Sequence, residues 1–213
     1  MSVDLRLYLV TDPRTDDLVD VVSRAVAGGV TCVQVRDKQA APGVLSGLVR
    51  TLRDALPAHV PVIANDDLEA ARWCDGLHVG VDDLAPSMAR DTLGAGALIG
   101  WSINDLAQLD DETEIAVCDY VAVSPVWATP TKADASAPLG LEGVRAVVAA
   151  VDGRLPVVGI GGIATANAAQ VVGSGANGIA VVSAICAADD PAAAAAALRR
   201  AVDDALATGR RTR

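Results

Sequence analysis

Short apolar runs rich in Val and Ile recur about every 25 residues along the chain, and a longer amphipathic or Ala-rich stretch follows each one. The runs place strands over residues 7–11, 32–36, 62–65, 76–79, 98–102, 120–124, 157–160 and 178–182. Between them the helical spacing of apolar positions predicts helices over 18–27, 45–56, 88–93, 141–151 and 166–173. A last Ala-rich helix is expected after Pro191, where Asp189 and Asp190 precede a proline at the first turn. The strands read as continuous apolar runs rather than alternating ones, as strands do in a parallel sheet with helices on its outer face. Eight such units in succession predict a closed α/β barrel, a single-domain (β/α)8 or TIM barrel over residues 1–213. An open doubly wound sheet is the competing architecture. Gly161-Gly162 follows the seventh strand and does not form G-x-G-x-x-G after the first, which weakens a dinucleotide-binding reading. Segments 37–43 and 128–140 read as mobile loops, the second long enough to act as a lid. A short basic tail from about Gly209 is expected to fray.

Composition narrows the class. Of 213 residues 52% are hydrophobic but only 2% aromatic, with no Phe, so the core must be built from Val, Ile, Leu and Ala. A disordered or collagen-like chain is excluded. The formal charge of −10, without a stripe of Lys and Arg, argues against a nucleic-acid partner. Small-molecule substrates fit better, and a homo-oligomer is left open. No apolar run reaches the roughly 18 to 20 residues that span a bilayer, and no basic segment leads into an apolar one at the N-terminus; no membrane association and a cytoplasmic location are expected. Cys32, Cys74, Cys118 and Cys186 are scattered and form no C-x-x-C pair, so they read as reduced, mostly core thiols. His59 and His78 do not supply metal-ligand spacing, and His78, inside the fourth strand, reads as a buried, hydrogen-bonded structural residue.

Candidate chemistry gathers at strand ends, where the βα loops of such a barrel converge over a packed interior. The second strand ends in Gln34-Val35-Arg36-Asp37-Lys38, with Gln34, Arg36 and Lys38 on one side of the strand. The third ends in Asn65-Asp66, the fourth runs into Asp82-Asp83, and the fifth ends in Ser102. Thr129, Thr131 and Lys132 follow the sixth. Carboxylates on adjacent loops suit a hard cation, so Asp66 and Asp83 are candidate Mg²⁺ ligands; helix N-capping is the alternative reading of both. Gly161-Gly162 and Ser183, after strands seven and eight, match the position where backbone N–H groups cradle a phosphate in these barrels, with tight turn packing as the alternative. The only two lysines of the chain, Lys38 and Lys132, both fall on strand-end loops opposite the acidic ones. A lysine about 4 Å from a phosphate oxygen is worth up to roughly 4 kcal/mol at an effective dielectric near 20, so local charge outweighs the acidic balance of the whole chain. Trp101 and Trp127 flank Ser102 and the Thr129 loop, where either pocket lining or core packing would account for them.

The order Leu7-Tyr8-Leu9-Val10-Thr11-Asp12, Gln34-Val35-Arg36-Asp37-Lys38, Asn65-Asp66, Gly76-Leu77-His78-Val79-Gly80, Thr129-Pro130-Thr131-Lys132, Gly159-Ile160-Gly161-Gly162-Ile163 and Val181-Val182-Ser183-Ala184-Ile185 resembles the thiamine-phosphate synthase family over nearly the whole chain. The resemblance implies a Mg²⁺-dependent (β/α)8 transferase. Such an enzyme joins 4-amino-2-methyl-5-hydroxymethylpyrimidine diphosphate to 4-methyl-5-(2-phosphoethyl)thiazole and releases pyrophosphate. It implies pyrimidine-diphosphate contacts at Gln34, Val35, Arg36, Asp37, Lys38, Asn65, Ser102 and Lys132. Among these, Arg36, Lys38, Ser102 and Lys132 would be catalytic. Thiazole-phosphate contacts would fall on Thr129, Thr131, Gly162, Val182 and Ser183, and the Mg²⁺ ligands on Asp66 and Asp83. The chain departs from the family pattern at Val81, at Ala128 and at Ile103-Asn104. Two alternatives are a thiazole tautomerase-like paralogue, which would need neither the diphosphate cluster nor a metal, and a non-catalytic phosphate-binding barrel.

Overall fold

The computed structural model describes residues 3–41, 43–129 and 137–211. Eight parallel strands close a barrel in chain order: β1 Leu7–Val10, β2 Cys32–Val35, β3 Val62–Asn65, β4 Gly76–Val79, β5 Leu98–Ile103, β6 Tyr120–Val123, β7 Val157–Ile160 and β8 Gly178–Val181. The open-sheet alternative is thereby ruled out, because β1 pairs with both β2 and β8. The helices are α1 Leu18–Ala27, α2 Val44–Ala55, α3 Leu68–Ala71, α4 Pro86–Leu93, α5 Glu112–Ala116, α6 Gly140–Val151, α7 Ala168–Gly173, α8 Ser183–Cys186 and α9 Pro191–Arg211, with a 3₁₀ turn over Leu106–Asp110. The final helix continues through Gly209 to Arg211, beyond the point where fraying was expected; residues 212–213 lie outside the described residues.

Every strand is buried on both faces, which is why its sequence shows no polar alternation. The outer face, with Leu7, Leu9, Val33, Val35, Val62, Leu77, Ile99, Val121 and Ile179, packs under the helices as the main core. The inner face fills the barrel with Leu5, Tyr8, Val10, Cys32, Ile63, Tyr120, Ala122, Val158 and Ala180. Two tyrosines take the place of the large aliphatic residues usual in such a layer. Gly100 lies opposite Tyr120 in the β5–β6 register, and a Cβ there would collide with the Tyr120 ring. The missing side chain on β5 thus makes room for the aromatic one on β6.

The N-terminal end of the barrel carries a repeated fastening. The residue just before each even-numbered strand accepts a hydrogen bond from a backbone N–H at the start of the preceding strand: Leu7 to Thr31 Oγ1 at 3.1 Å, Val62 to Asp75 Oδ2 at 2.8 Å, Ile99 to Asp119 Oδ2 at 2.8 Å and Val157 to Asn177 Oδ1 at 2.8 Å. Arg53 of α2 and Arg90 of α4 also hold Asp75 and Asp119. These contacts set strand stagger at the end remote from the loops.

Candidate active site

On the inward phase of four consecutive strands stand Gln34, Asn65, His78 and Ser102, one polar residue each from β2 to β5. They form the floor of a cavity of about 760 Å³ at the C-terminal end of the barrel, above Tyr8 and beside Ala122 and Ala180. The floor is hydrogen-bonded throughout. Gln34 Nε2 donates to the Tyr8 hydroxyl at 2.7 Å, which meets the Tyr120 hydroxyl at 2.8 Å; His78 Nδ1 lies 2.9 Å from the latter and His78 Nε2 lies 2.9 Å from Ser102 Oγ.

Charged groups stand on one side of the cavity. The backbone N–H of Arg36 donates to Thr11 Oγ1 at 2.9 Å, fixing the point where the chain leaves β2 and delivers Arg36, Asp37 and Lys38 to the wall. The Asp37 carboxylate accepts from the Gln39 N–H at 2.9 Å and closes its own turn. Lys38 Nζ reaches Asp66 Oδ2 at 2.9 Å and Asp83 Oδ1 at 3.6 Å. Asp66 sits at φ 59°, a conformation that Asn and Asp tolerate better than most side chains. Its neighbour Asp67 takes the N-cap of α3, accepting from the Ala70 N–H at 2.9 Å. The capping role expected of an aspartate at this strand end is therefore filled one residue on, and Asp66 is left facing the cavity.

The electrostatics of the three groups are interlocked. Burial, with help from the hydrogen bond to Asp83, pushes the Asp66 carboxyl up to about 6, against the pull of Lys38. Burial also works to raise Asp83, but its hydrogen bonds with Asp66 and with the Gly80 N–H, together with Lys38, outweigh it and hold that carboxyl below its ordinary value. Burial opposes the Lys38 charge, and the two carboxylates overcome it, so the ammonium is held above its ordinary range. Each carboxylate opposes the ionisation of the other, and the Lys38 ammonium that reaches both offsets part of that repulsion.

The opposite wall is mostly backbone. Gly161 and Gly162 adopt φ 104° and 64°, and a Cβ on either would press into Pro125 or Trp127. The turn-packing reading therefore holds, without displacing the anion reading: both glycines border the cavity together with Val182 and Ser183. Ser183 opens α8, whose Ile185 and Cys186 N–H groups donate to the Val182 carbonyl, so the turn's N–H groups next to the cavity are those of Ser183 and Ala184. Thr129 completes this side.

A family model described as thiamine monophosphate synthase matches residues 7–185, the span that holds the whole barrel and both walls of the cavity. The chain belongs to this family. It is 46% identical over 207 residues to the thiamine-phosphate synthase of Albidiferax ferrireducens, covering 93% of this chain and 92% of that one. It is 47% identical over 205 residues to that of Xanthobacter autotrophicus, covering 93% and 96%. Among solved structures, the thiamine phosphate pyrophosphorylase from Pyrococcus furiosus superposes with a TM-score of 0.83 at 32% identity, covering 95% of this chain and 98% of that one. As a member of the thiamine monophosphate synthase family the protein is an enzyme, a transferase.

Within this family framework, Gln34, Arg36, Asp37, Lys38, Asn65, Asp66, Asp83, Ser102, Thr129, Gly162, Val182 and Ser183 all border the one cavity. Val35 does not. Its side chain is on the outward phase of β2 and packs under the helices. Thr131 and Lys132 lie outside the described residues, as does most of the segment expected as a lid. Of the two readings of the tryptophans, core packing holds: Trp101 is on the outward phase of β5, and Trp127 packs against the outer core. His78 is buried and hydrogen-bonded as expected, but it also borders the cavity. Two groups of this family member escaped the sequence reading. Tyr8 stands under the floor, and Arg14 pairs with Asp12 at 2.7 Å on the β1 loop at the cavity mouth. Tyr8 could have been found from its phase on β1, which is that of Gln34 in the β1–β2 register.

Proposed function

We propose that the protein is a thiamine-phosphate synthase that joins 4-amino-2-methyl-5-hydroxymethylpyrimidine diphosphate to 4-methyl-5-(2-phosphoethyl)thiazole, giving thiamine phosphate and pyrophosphate, with Mg²⁺ as cofactor. The observation that carries this reading is the division of one cavity into two anion-suited walls, a charged one at Arg36, Lys38, Asp66 and Asp83 and a backbone one at Gly162 and Ser183. A diphosphate fits the first wall and a phosphate monoester the second. The names of the relatives support the same substrates.

The residues fit Mg²⁺. Asp66 and Asp83 are hard oxygen donors on neighbouring loops, and the Lys38 ammonium that reaches both supports a site suited to a cation. Two carboxylates are a donor set of the kind that would hold Mg²⁺, which usually takes one or two carboxylates and completes its shell elsewhere. When bound there, Mg²⁺ supplies charge neutralisation for the diphosphate. Arg36 and Lys38 stabilise the charge that grows on pyrophosphate as the bond from the methylene carbon to oxygen breaks and the electron pair leaves with oxygen. Lys132 is assigned the same task. Electron release from the aminopyrimidine supports the methylene cation until the thiazole nitrogen donates its lone pair and forms the C–N bond. Ser102, Gln34 and Asn65 hold the ring over the floor, and Gly162 and Ser183 hold the thiazole phosphate so that its nitrogen faces the methylene. No helix among the described residues is long and apolar enough to cross a membrane.

The test is release of pyrophosphate from the pyrimidine diphosphate, with and without Mg²⁺ and with and without thiazole phosphate. Mg²⁺-dependent release with thiamine phosphate formed is expected. No release under any of these conditions rejects the assignment.

A further inference from the structure

The floor of the cavity is a single hydrogen-bonded chain, Gln34 to Tyr8 to Tyr120 to His78 to Ser102, that crosses the barrel from β2 to β5. Its members Tyr8 and Tyr120 are fully buried, and Gln34 and His78 nearly so. Each hydroxyl in such a chain has one proton to give. Gln34 Nε2 donates to Tyr8, so the Tyr8 proton goes to Tyr120. The Tyr120 proton then goes to His78 Nδ1, which must be the unprotonated ring nitrogen. The ring proton is left on Nε2 and goes to Ser102 Oγ. Ser102, having accepted, keeps its own proton for a group in the cavity. At the other end Gln34 has its amide orientation fixed by Tyr8, which turns Oε1 away from the tyrosine as the acceptor.

We infer that this buried chain sets the donor and acceptor sense of the site, with Tyr8, Tyr120 and His78 as positioning residues that make Ser102 a donor and Gln34 Oε1 an acceptor towards the substrate. The ligand it suits presents an N–H group at the Gln34 end and a lone pair at the Ser102 end, as an amino-substituted nitrogen heterocycle carrying a diphosphate does. This inference deepens the proposed function and rests on it for the substrate. The packing keeps the members in hydrogen-bonding register, with the Tyr8 and Tyr120 ring centroids 5.8 Å apart edge to face and the His78 ring stacked on Tyr120 at 5.6 Å, while the sense itself is set by the Gln34 amide at one end.

Nitrogen-15 NMR of the labelled full chain tests the sense directly. The chain has two histidines and His59 is exposed, so a His59→Gln spectrum assigns the His78 signals. The expected pattern at neutral pH is a pyridine-type Nδ1 and a pyrrole-type Nε2. A protonated Nδ1, whether from the opposite tautomer or from an imidazolium, overturns the inference. Tyr120→Phe is expected to mix the two tautomers and to lower kcat/KM for the pyrimidine diphosphate about tenfold, with KM for the thiazole phosphate unchanged. Tyr8→Phe releases the Gln34 amide, and preference for the 4-amino over the 4-oxo pyrimidine diphosphate is expected to fall about tenfold; an unchanged preference counts against the inference. His78→Gln, which keeps an amide N–H for Ser102, is expected to retain most of the activity that His78→Leu loses. Equal losses would reduce His78 to a packing role and overturn the assignment. If Tyr120→Phe does not fold, the wild-type tautomer and Tyr8→Phe decide. Wild-type protein with the expected tautomer but no pyrophosphate release would reject the proposed reaction and leave the chain's sense standing.

Discussion

The ammonium of Lys38 lies 2.9 Å from the Asp66 carboxylate, and it stands where a cation shared by Asp66 and Asp83 would be drawn. The site thus carries its own compensating charge, and a divalent ion bound as proposed would compete with it. Lys38→Met removes the competitor. Mn²⁺, used as a probe for Mg²⁺, is expected to bind the free protein a few fold more tightly, on the order of the 0.2–1 kcal/mol that a partly exposed ion pair contributes. Turnover is expected to fall about 100-fold, because in the proposed reaction Lys38 stabilises departing pyrophosphate. Paramagnetic titration with Mn²⁺ reads the first effect and pyrophosphate release the second. Unchanged or weaker Mn²⁺ binding would refute the competition.

Asp66 allows stability and function to be separated. Asn is the residue closest in shape and tolerates the φ of 59° found there, while it removes a carboxylate whose ionisation burial opposes. Asp66→Asn is therefore expected to melt at or above the wild-type temperature, yet to lose Mg²⁺-dependent turnover by about 100-fold or more. A marked loss of Tm would show that the carboxylate holds the loop rather than serving the site.

Strand phase explains both what could be read ahead of the structure and what could not. The eight strands are legible to within about a residue because each is a short, largely apolar run between turn residues, and helix Leu18–Ala27 is legible because ten residues give the helical period room to show. Helices α3, α5 and α8 span four or five residues, too few for any period, and were missed. At the site, Gln34, Asn65 and Ser102 were found because they are polar at strand ends. Val35 and Trp101 lie one residue out of phase with Gln34 and Ser102, so the same alternation that pointed Gln34 inward excludes them. The Tyr8–Tyr120 contact could not be read, since it joins strands far apart in the chain through a gap left by Gly100.

Gly162 borders the cavity, and its tight packing makes it sensitive to a single methyl. It adopts φ 64°, and a Cβ would lie 2.8 Å from Trp127 Cβ and 3.1 Å from the Ala128 carbonyl oxygen. Gly162→Ala is expected to cost about 1–3 kcal/mol of stability through the strained backbone. It should also raise KM for the thiazole phosphate more than KM for the pyrimidine diphosphate, since in the proposed function only the former uses this wall. Equal changes in both constants would disconnect Gly162 from the phosphate.

The fastenings at the far end of the barrel should act on stability alone. Asp119 accepts from the Ile99 N–H at 2.8 Å and from Arg90 at 2.6 Å, and Arg90 also reaches the carbonyls of Ala97 and Val117. Removing the carboxylate leaves a strand N–H without its acceptor and an arginine without its counter-charge, at the end of the barrel opposite the cavity. Asp119→Ala is expected to destabilise the fold by about 1–3 kcal/mol. Asp119→Asn keeps an acceptor for Ile99 and should lose less. Chemical denaturation measures both costs. Turnover at a temperature where both variants are folded should match the wild type, because neither cavity wall takes a residue from this end; a fall in kcat with Asp119→Asn would show that stagger set at the bottom of the barrel is transmitted to the floor of the site.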